Sequence, residues 1–402
     1  MANKILLSLS LIILFGGCQK ASDKDRFITD NKIKSDSITI GAIHTLTSKV
    51  LNEEREIIIS LPVDYEKSKS SYPVLYLTDG FQNIEHVRGS VELLTRTGHI
   101  PPLIIVGIKS VDRVRDFTYS QSESQPKSGG AEKFLSFIES ELIPYINTNY
   151  RANGFNVLEG HSLGGLFAAS TLMQNPDLFQ AFIIMSPALW WNKEKLTQKA
   201  ESFFTNHPNL EKKLFFGIGK DESTEDFGMR KELNNFIDVV KENKPKNLLY
   251  SHKEFENEGH MSSTLLSNYY GLRYVFSDLK YSDEFIANYS DEVFLKKEDE
   301  LIAKYGASAK RTGESYYNLG AAIYQRNIAG AITVFKRSVE VYPNDINLIT
   351  TLAQLYESNS EIVNAINTYE YAIEVSGKNK YGKEESYQKE IDRLKSNSLQ
   401  QK

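Results

Sequence analysis

Phe155-Asn156-Val157-Leu158-Glu159-Gly160-His161-Ser162-Leu163-Gly164-Gly165 is the stretch that decides the reading of this chain. It opens as a largely apolar run of strand length and leads into residues 163–173, whose apolar spacing is helical. Between the two sits Gly160-His161-Ser162-Leu163-Gly164, with the spacing G-x-S-x-G. Alone, that pentapeptide recurs by chance. Lodged between a strand and a helix, it has the setting of a nucleophile elbow. Glycines flank the serine because its backbone must turn sharply and neighbouring side chains would collide. The turn lifts the Ser162 hydroxyl to the end of the strand, where the amino terminus of the next helix favours developing negative charge. The alternative, a glycine turn with an incidental serine, is rejected on that setting.

Outward from this point the same alternation repeats. Compact apolar runs at 73–77, 103–108, 181–185 and 213–218 end at Thr78-Asp79-Gly80, Lys109-Ser110, Ser186-Pro187 and Gly219. They are continuous, as strands buried on both faces of a parallel sheet are. Stretches rich in β-branched residues at 37–46 and 56–61 predict two strands before them, and 248–255 predicts one after them. Helical patterns occupy 131–145, 163–173 and 230–242. The alternation predicts an α/β fold, a doubly wound, mostly parallel sheet, with ligands beyond the carboxyl ends of its strands.

Past Phe276 the chain turns to charged helices with no strand candidate. Ala331, Phe335 and Ser338 recur 34 residues later as Ala365, Tyr369 and Ala372, and Leu319-Gly320 recurs as Leu352-Ala353. This period resembles the tetratricopeptide repeat, a helix–turn–helix unit, with a generic helical cap as the alternative. The expected organisation is a signal segment at 1–18, a flexible tether at 19–38 and an α/β-hydrolase domain at 39–280. A helical connector at 281–310, a small all-α domain of repeats at 311–378 and a charged tail at 379–402 follow. A protein partner on the repeats is the expectation that such surfaces carry.

The amino-terminal segment has Lys4, an apolar run at 5–15, then Gly16, Gly17 and Cys18, the single cysteine of the chain. The run is shorter than the about 20 residues of a membrane span and suits a secretory signal core. Cys18 resembles the lipidated cysteine of bacterial lipoproteins, although Phe15 stands where leucine is usual. The alternative is a plain cleaved signal peptide. On the lipoprotein reading, acyl chains anchor the protein to a membrane of the cell envelope. The formal charge of −5 gives no electrostatic reason to expect nucleic acid. No metal-ligand spacing and no glycine-rich phosphate loop is visible, so no cofactor is expected.

A serine hydroxyl needs a base. Of the 7 histidines, His44, His86 and His99 precede the elbow, whereas the order on this fold is serine, acid, histidine. His161 belongs to the elbow, His207 to a polar helix end and His252 to a strand-like run. His260 lies in the loop Glu258-Gly259-His260-Met261-Ser262 after that run and is the expected base. The orienting acid falls in 219–226, where Asp221, Glu222, Glu225 and Asp226 all qualify and spacing does not choose. The oxyanion requires backbone donors: the Leu163 amide, and one from Asp79-Gly80-Phe81.

These residues, with Tyr72-Pro73-Val74-Leu75-Tyr76-Leu77, Arg113-Val114-Arg115-Asp116-Phe117-Thr118 and Ser186-Pro187-Ala188-Leu189-Trp190-Trp191, resemble an esterase family of α/β-hydrolases. That family includes enterochelin-type siderophore esterases, S-formylglutathione hydrolases, feruloyl esterases and mycolyltransferases. The resemblance covers about 40–278. It implies a serine esterase acting on a small carboxylic ester through an acyl-enzyme, with a siderophore ester as one candidate. It favours Glu222 as the acid and Phe81 as the second oxyanion amide. It also suggests Trp190 and Trp191 as pocket walls, with core packing the alternative. Arg115 would face an anionic substrate group, or else form a structural ion pair with Asp116. Acyl transfer, and a non-catalytic envelope scaffold, are the competing functions.

Overall fold

The computed structural model describes residues 38–221 and 229–400. Its sheet comprises β1 (Ala42–Ser48), β2 (Glu53–Ser60), β3 (Tyr72–Leu77), β4 (Ile104–Ile108), β5 (Ala152–His161), β6 (Ala181–Met185), β7 (Lys213–Gly219) and β8 (Leu249–Phe255). The order is β1-β2-β4-β3-β5-β6-β7-β8. β1 and β2 run antiparallel to their neighbours, and every pairing from β4 to β8 is parallel. The expected α/β class and mostly parallel sheet are therefore observed. β5, which leads to Ser162, sits between β3 and β6.

Helices fill both faces. In chain order they are α1 (Gly80–Arg96), α2 (Arg113–Phe117), α3 (Ala131–Phe137), α4 (Ile143–Asn149), α5 (Leu163–Gln174), α6 (Trp191–Asn206), α7 (Met229–Glu242) and α8 (Ser263–Val275). A single π turn, Ile138–Leu142, joins α3 to α4. Side chains alternate along each strand, so Val74, Tyr76, Leu158, Phe182 and Phe216 meet one helical layer, which contains α3, α5 and α7. Leu75, Leu77, Val157, Ile183 and Phe215 meet α1 and α8 on the other. Burial on both sides is why these strands read as continuous apolar runs.

The carboxyl-terminal part is helical: α9 (Asp283–Ala287), α10 (Asp291–Tyr305), α11 (Gly313–Tyr324), α12 (Ile328–Val341), α13 (Ile346–Ser358), α14 (Ile362–Asn379) and α15 (Glu384–Gln400). The recurring residues are all core: Ala331, Ser338, Ala365 and Ala372 are fully buried, Phe335 and Tyr369 nearly so. Gly320 is small for cause, since a Cβ there would lie 2.3 Å from the Phe335 ring.

One expectation needs correction. The segment from 379 onward is not merely a charged tail, because α15 buries Tyr387, Ile391 and Leu394 against α14. The connector packs on both sides: Leu301, Tyr305 and Ala309 lie in the same core as Leu77 and Ile183, while Phe294 joins Tyr316, Leu319 and Phe335 of α11 and α12. The helices from α13 onward meet in a cluster of their own. Cys18 and the tether up to 37 lie outside the described residues. No helix among the described residues is long and apolar enough to cross a membrane.

Candidate active site

Ser162 occupies the turn between β5 and α5 with φ 60° and ψ −118°, a backbone conformation that L-residues avoid. Such strain costs on the order of 1–3 kcal/mol and persists only where the surroundings over-determine it. Here they do. Ser162 N–H donates to Met185 O, and its carbonyl accepts from Leu166 and Ala188 N–H, each at 3.0 Å. The glycines are required by contact: a Cβ on Gly160 would lie 2.1 Å from Gly164 O, and one on Gly164 would lie 2.4 Å from Thr78 Oγ1.

That last approach brings the start of α5 against the β3–α1 turn. Leu163 and Phe81 both lie in the first turn of their helices, where amides have no intrahelical acceptor. The α1 turn is fixed by Asp79, a left-handed residue (φ 52°) with a buried carboxylate. Asp79 accepts from Ser110 Oγ (2.5 Å), Arg113 Nε (2.8 Å) and Arg113 Nη2 (3.0 Å). Arg113 Nη2 also donates to His161 O at 3.4 Å, joining that turn to the elbow.

His260 arrives from the far side, on the loop between β8 and α8. The buried His161 Nε2 lies 2.8 Å from His260 O. A carbonyl only accepts, so His161 carries its proton on Nε2. The two imidazole centroids are 4.4 Å apart. Among the described residues no hydrogen bond joins Ser162 Oγ to the His260 ring; His161, adjacent to Ser162, bridges the two segments. Catalytic hydrogen bonds are often long before substrate binds. The end of β7 abuts the same loop: Asp221 N–H donates to Glu258 O at 3.0 Å, and a Cβ on Gly219 would lie 2.2 Å from that oxygen. The Asp221 side chain is exposed, while Glu222, Glu225 and Asp226 lie outside the described residues.

Arg115 does not stand free to meet an anionic substrate. Its Nε donates to Asp116 (2.6 Å), and both terminal nitrogens donate to Glu53 (3.0 and 2.9 Å). Those carboxylates raise its pKa, and with the fully buried Arg55 they form one ion cluster. The structural ion pair is the reading that holds. Trp191 is core, 4% exposed, with Nε1 donating to Ser120 O. Trp190, two residues past the Ala188 amide that holds Ser162, is 39% exposed. Among the described residues no group of three His, Cys, Asp or Glu could hold a metal ion.

Sequence reasoning missed three contributors. Arg113 stands in the same Arg113–Thr118 stretch as Arg115, and nothing in the sequence alone sets the two apart. Asp79 was read only as part of a loop, and His161 only as part of the turn. The conjunction of a strand-end Asp-Gly with a later arginine was the signal available.

Residues 48–260 match the family model described as "Putative esterase". The chain belongs to this esterase family. Among its relatives is the ferri-bacillibactin esterase BesA of Bacillus subtilis, 30% identical over 55% of this chain and 84% of that protein. The siderophore enterobactin esterase of Emericella nidulans is 28% identical over 40% of this chain and 64% of its own length. An IroE-like serine hydrolase from Shewanella oneidensis, solved by crystallography, is 27% identical. It superposes with a TM-score of 0.61 and covers 75% of this chain and 99% of that one. The esterase is thus a carboxylic-ester hydrolase, and the elbow stands where its sheet ends.

Proposed function

We propose that this esterase works through an acyl-enzyme on Ser162. His260 takes the hydroxyl proton as Oγ attacks the ester carbonyl, and the Leu163 and Phe81 amides bind the oxyanion. Collapse expels the alcohol, which receives the proton from His260. Water, deprotonated by the same imidazole, then releases the acid. Glu222 orients His260; supporting this, the neighbouring Asp221 amide bonds Glu258, two residues before the histidine. The observation that carries the reading is the strained Ser162, held at the start of α5 beside the His161–His260 contact.

The substrate class we propose is a siderophore ester, on the likeness to BesA and the enterobactin esterase. The exposed Trp190 offers an aryl-stacking wall near the elbow. We further propose that Cys18 carries a lipid anchor in the envelope, and that the helices from 311 are tetratricopeptide-like and meet a protein partner. The buried small residues at 34-residue spacing support the repeat assignment. Acyl transfer to an alcohol would use the same intermediate, and product analysis with added alcohols separates the two.

The test is hydrolysis of a short-chain aryl ester and of a siderophore ester by protein lacking residues 1–18. Ser162→Ala should lower turnover by about four to six orders of magnitude while the fold survives. Alanine at Asp221, Glu222, Glu225 and Asp226 in turn identifies the acid. An undiminished rate in Ser162→Ala would end this reading.

A further inference from the structure

One carboxyl beneath the elbow takes no part in that chemistry. Glu159 lies on β5, three residues before Ser162, and is 0% exposed. It pairs in register with Leu77 and Ile183, so it faces the side of the sheet covered by α8. Its Oε2 accepts from Asn268 Nδ2 at 2.7 Å, and Asn268 is itself fully buried on α8. Glu159 Oε1 and Asn268 Oδ1 are both buried with no partner among the described residues. Two acceptors lack a donor, and no cation among the described residues pairs with the carboxyl. A buried carboxylate in that setting is strongly disfavoured, whereas the protonated acid brings a donor of its own.

The helix that holds Asn268 follows directly on the base. α8 begins three residues after His260, and Ser263 ties the two: its N–H donates to Gly259 O (3.1 Å) and its Oγ to His260 O (3.4 Å). α8 sits close on the sheet because glycines allow it. A Cβ on Gly217 would lie 2.3 Å from Ser267 Oγ, and one on Gly271 would lie 2.7 Å from Ile183. Lys213 Nζ on β7 donates to Val275 O at the far end of α8, and the Glu159–Asn268 bond is the buried side-chain tie that links the strand bearing the serine to the helix following the histidine.

We infer that Glu159, held as an uncharged acid and hydrogen-bonded to Asn268, is a positioning residue that sets the docking of α8 and so the reach of His260 to Ser162. The inference rests on the serine–histidine reading above. Burial pushes the Glu159 carboxyl up to about 8, and the Asn268 bond offsets this only in part. Its ionisation would therefore loosen the site on the alkaline side. Other titratable and charged groups stand around it among the described residues: on β5 itself, His161 lies against His260, and past the end of β3, Asp79 is paired with Arg113. On β3, Tyr76 belongs to the opposite face, and β6 is wholly apolar. On α1, burial lowers the pKa of His86, and the charged Glu85, Arg88, Glu92 and Arg96 are exposed or half-exposed. On α8, Arg273 lies over the rings of Tyr269 and Tyr270, and the Tyr274 phenol is raised to about 12.

The experiment is a pH profile of kcat and KM on an aryl ester for the wild type, Glu159→Gln, Glu159→Leu and Ser162→Ala. It is paired with mass-spectrometric detection of fluorophosphonate label on Ser162. The wild type should lose kcat above roughly pH 8, with KM unchanged. Glu159→Gln keeps an uncharged donor and acceptor, so it should stay within about twofold near neutrality and lack the alkaline decline. Glu159→Leu should lower kcat about 10- to 100-fold at every pH, as small misplacements of catalytic groups do. An alkaline decline that persists in Glu159→Gln overturns the inference, as does wild-type kcat in Glu159→Leu. If Leu does not fold, the Gln profile decides alone. Activity in Ser162→Ala, with Ser162 unlabelled in the wild type, instead overturns the serine reading on which this one stands.

Discussion

Replacing Glu159 by glutamine should remove a loss of stability that the wild type suffers as pH rises. The carboxyl titrates at an ordinary 4.5 in the unfolded chain and at about 8 in the native protein. Between those values the native state keeps a proton that the unfolded state has released. Stability therefore falls with rising pH, by about 1.4 kcal/mol per pH unit, and levels off above about 8. Over the whole window the loss is on the order of 4–5 kcal/mol, a large share of the usual 5–15 kcal/mol of a folded protein. His86 and His252, whose pKa values burial lowers, act with the opposite sign: their contribution is complete above about 6.5 and lost as pH falls. Subtracting the variant from the wild type cancels them. Urea unfolding followed by circular dichroism, at steps between about pH 5 and 9, gives that difference. It should shift in favour of the variant by about 1.4 kcal/mol per unit up to about pH 8 and then stay flat. A difference independent of pH across the window would refute the reasoning, because it would mean that the carboxyl ionises normally in the native protein.

Gly164→Ala would push a Cβ to 2.4 Å from Thr78 Oγ1 and part the two helix starts that flank the elbow. It should cost about 1–3 kcal/mol in unfolding experiments and lower kcat at least about tenfold. Arg115→Ala leaves Glu53 and Asp116 with one cation fewer. Because Arg115 is about one-third exposed, the loss should be about 1–2 kcal/mol, below that of a fully buried pair, with kcat/KM on an aryl ester within about twofold. Ending the chain before Glu384 removes Tyr387, Ile391 and Leu394 from their core, each worth about 1.5–3 kcal/mol of burial. Differential scanning calorimetry should then show the carboxyl-terminal helices melting earlier, with ester hydrolysis retained at moderate temperature.

The sheet was legible because burial on both faces leaves a plain signal: all eight strand expectations have a counterpart in the structure. Helices were less so. α1 was not legible and α6 only at its end, at His207, and both begin in unusual backbone. Asp79 before α1 is left-handed, and Asn192, Lys193 and Glu194 at the start of α6 all have positive φ. Neither is capped by a side chain: Asp79 precedes α1 but turns its carboxylate to Ser110 and Arg113, and Trp190 precedes α6. The elbow could be read since its residues are contiguous and its glycines are fixed by contacts of the turn itself. Arg113 and Asp79 are far apart in the chain, and a pairing between distant charges has no local signature. Composition could not tell Arg113 from Arg115 either; the fold turns one toward Asp79 and the other toward Glu53.

The disappearance of strand patterns near 280 marks a change of secondary structure, and α10 connects the sheet to the helices beyond it. The sheet needs cover on the face that α1 and α8 share, and Leu301 and Tyr305 of α10 help to supply it. The joint is polar as well as apolar. Asp278 accepts from Lys213 on β7 and from Lys304 and Tyr305 on α10. Burial works against its charge, but Lys213 and Lys304 prevail and hold its pKa down at about 2. Next to it, Arg311 pairs with the buried Glu298 and donates to Asp278 O, while Tyr281 and Tyr316 donate to the same Glu298. Removing either partner of such a pair strands a buried charge, at a cost of about 3–5 kcal/mol. Fastened in this way, α10 belongs to the sheet's own core, while α11 to α15 pack in clusters beyond it, so a change in those outer helices should reach the esterase site only through this polar joint.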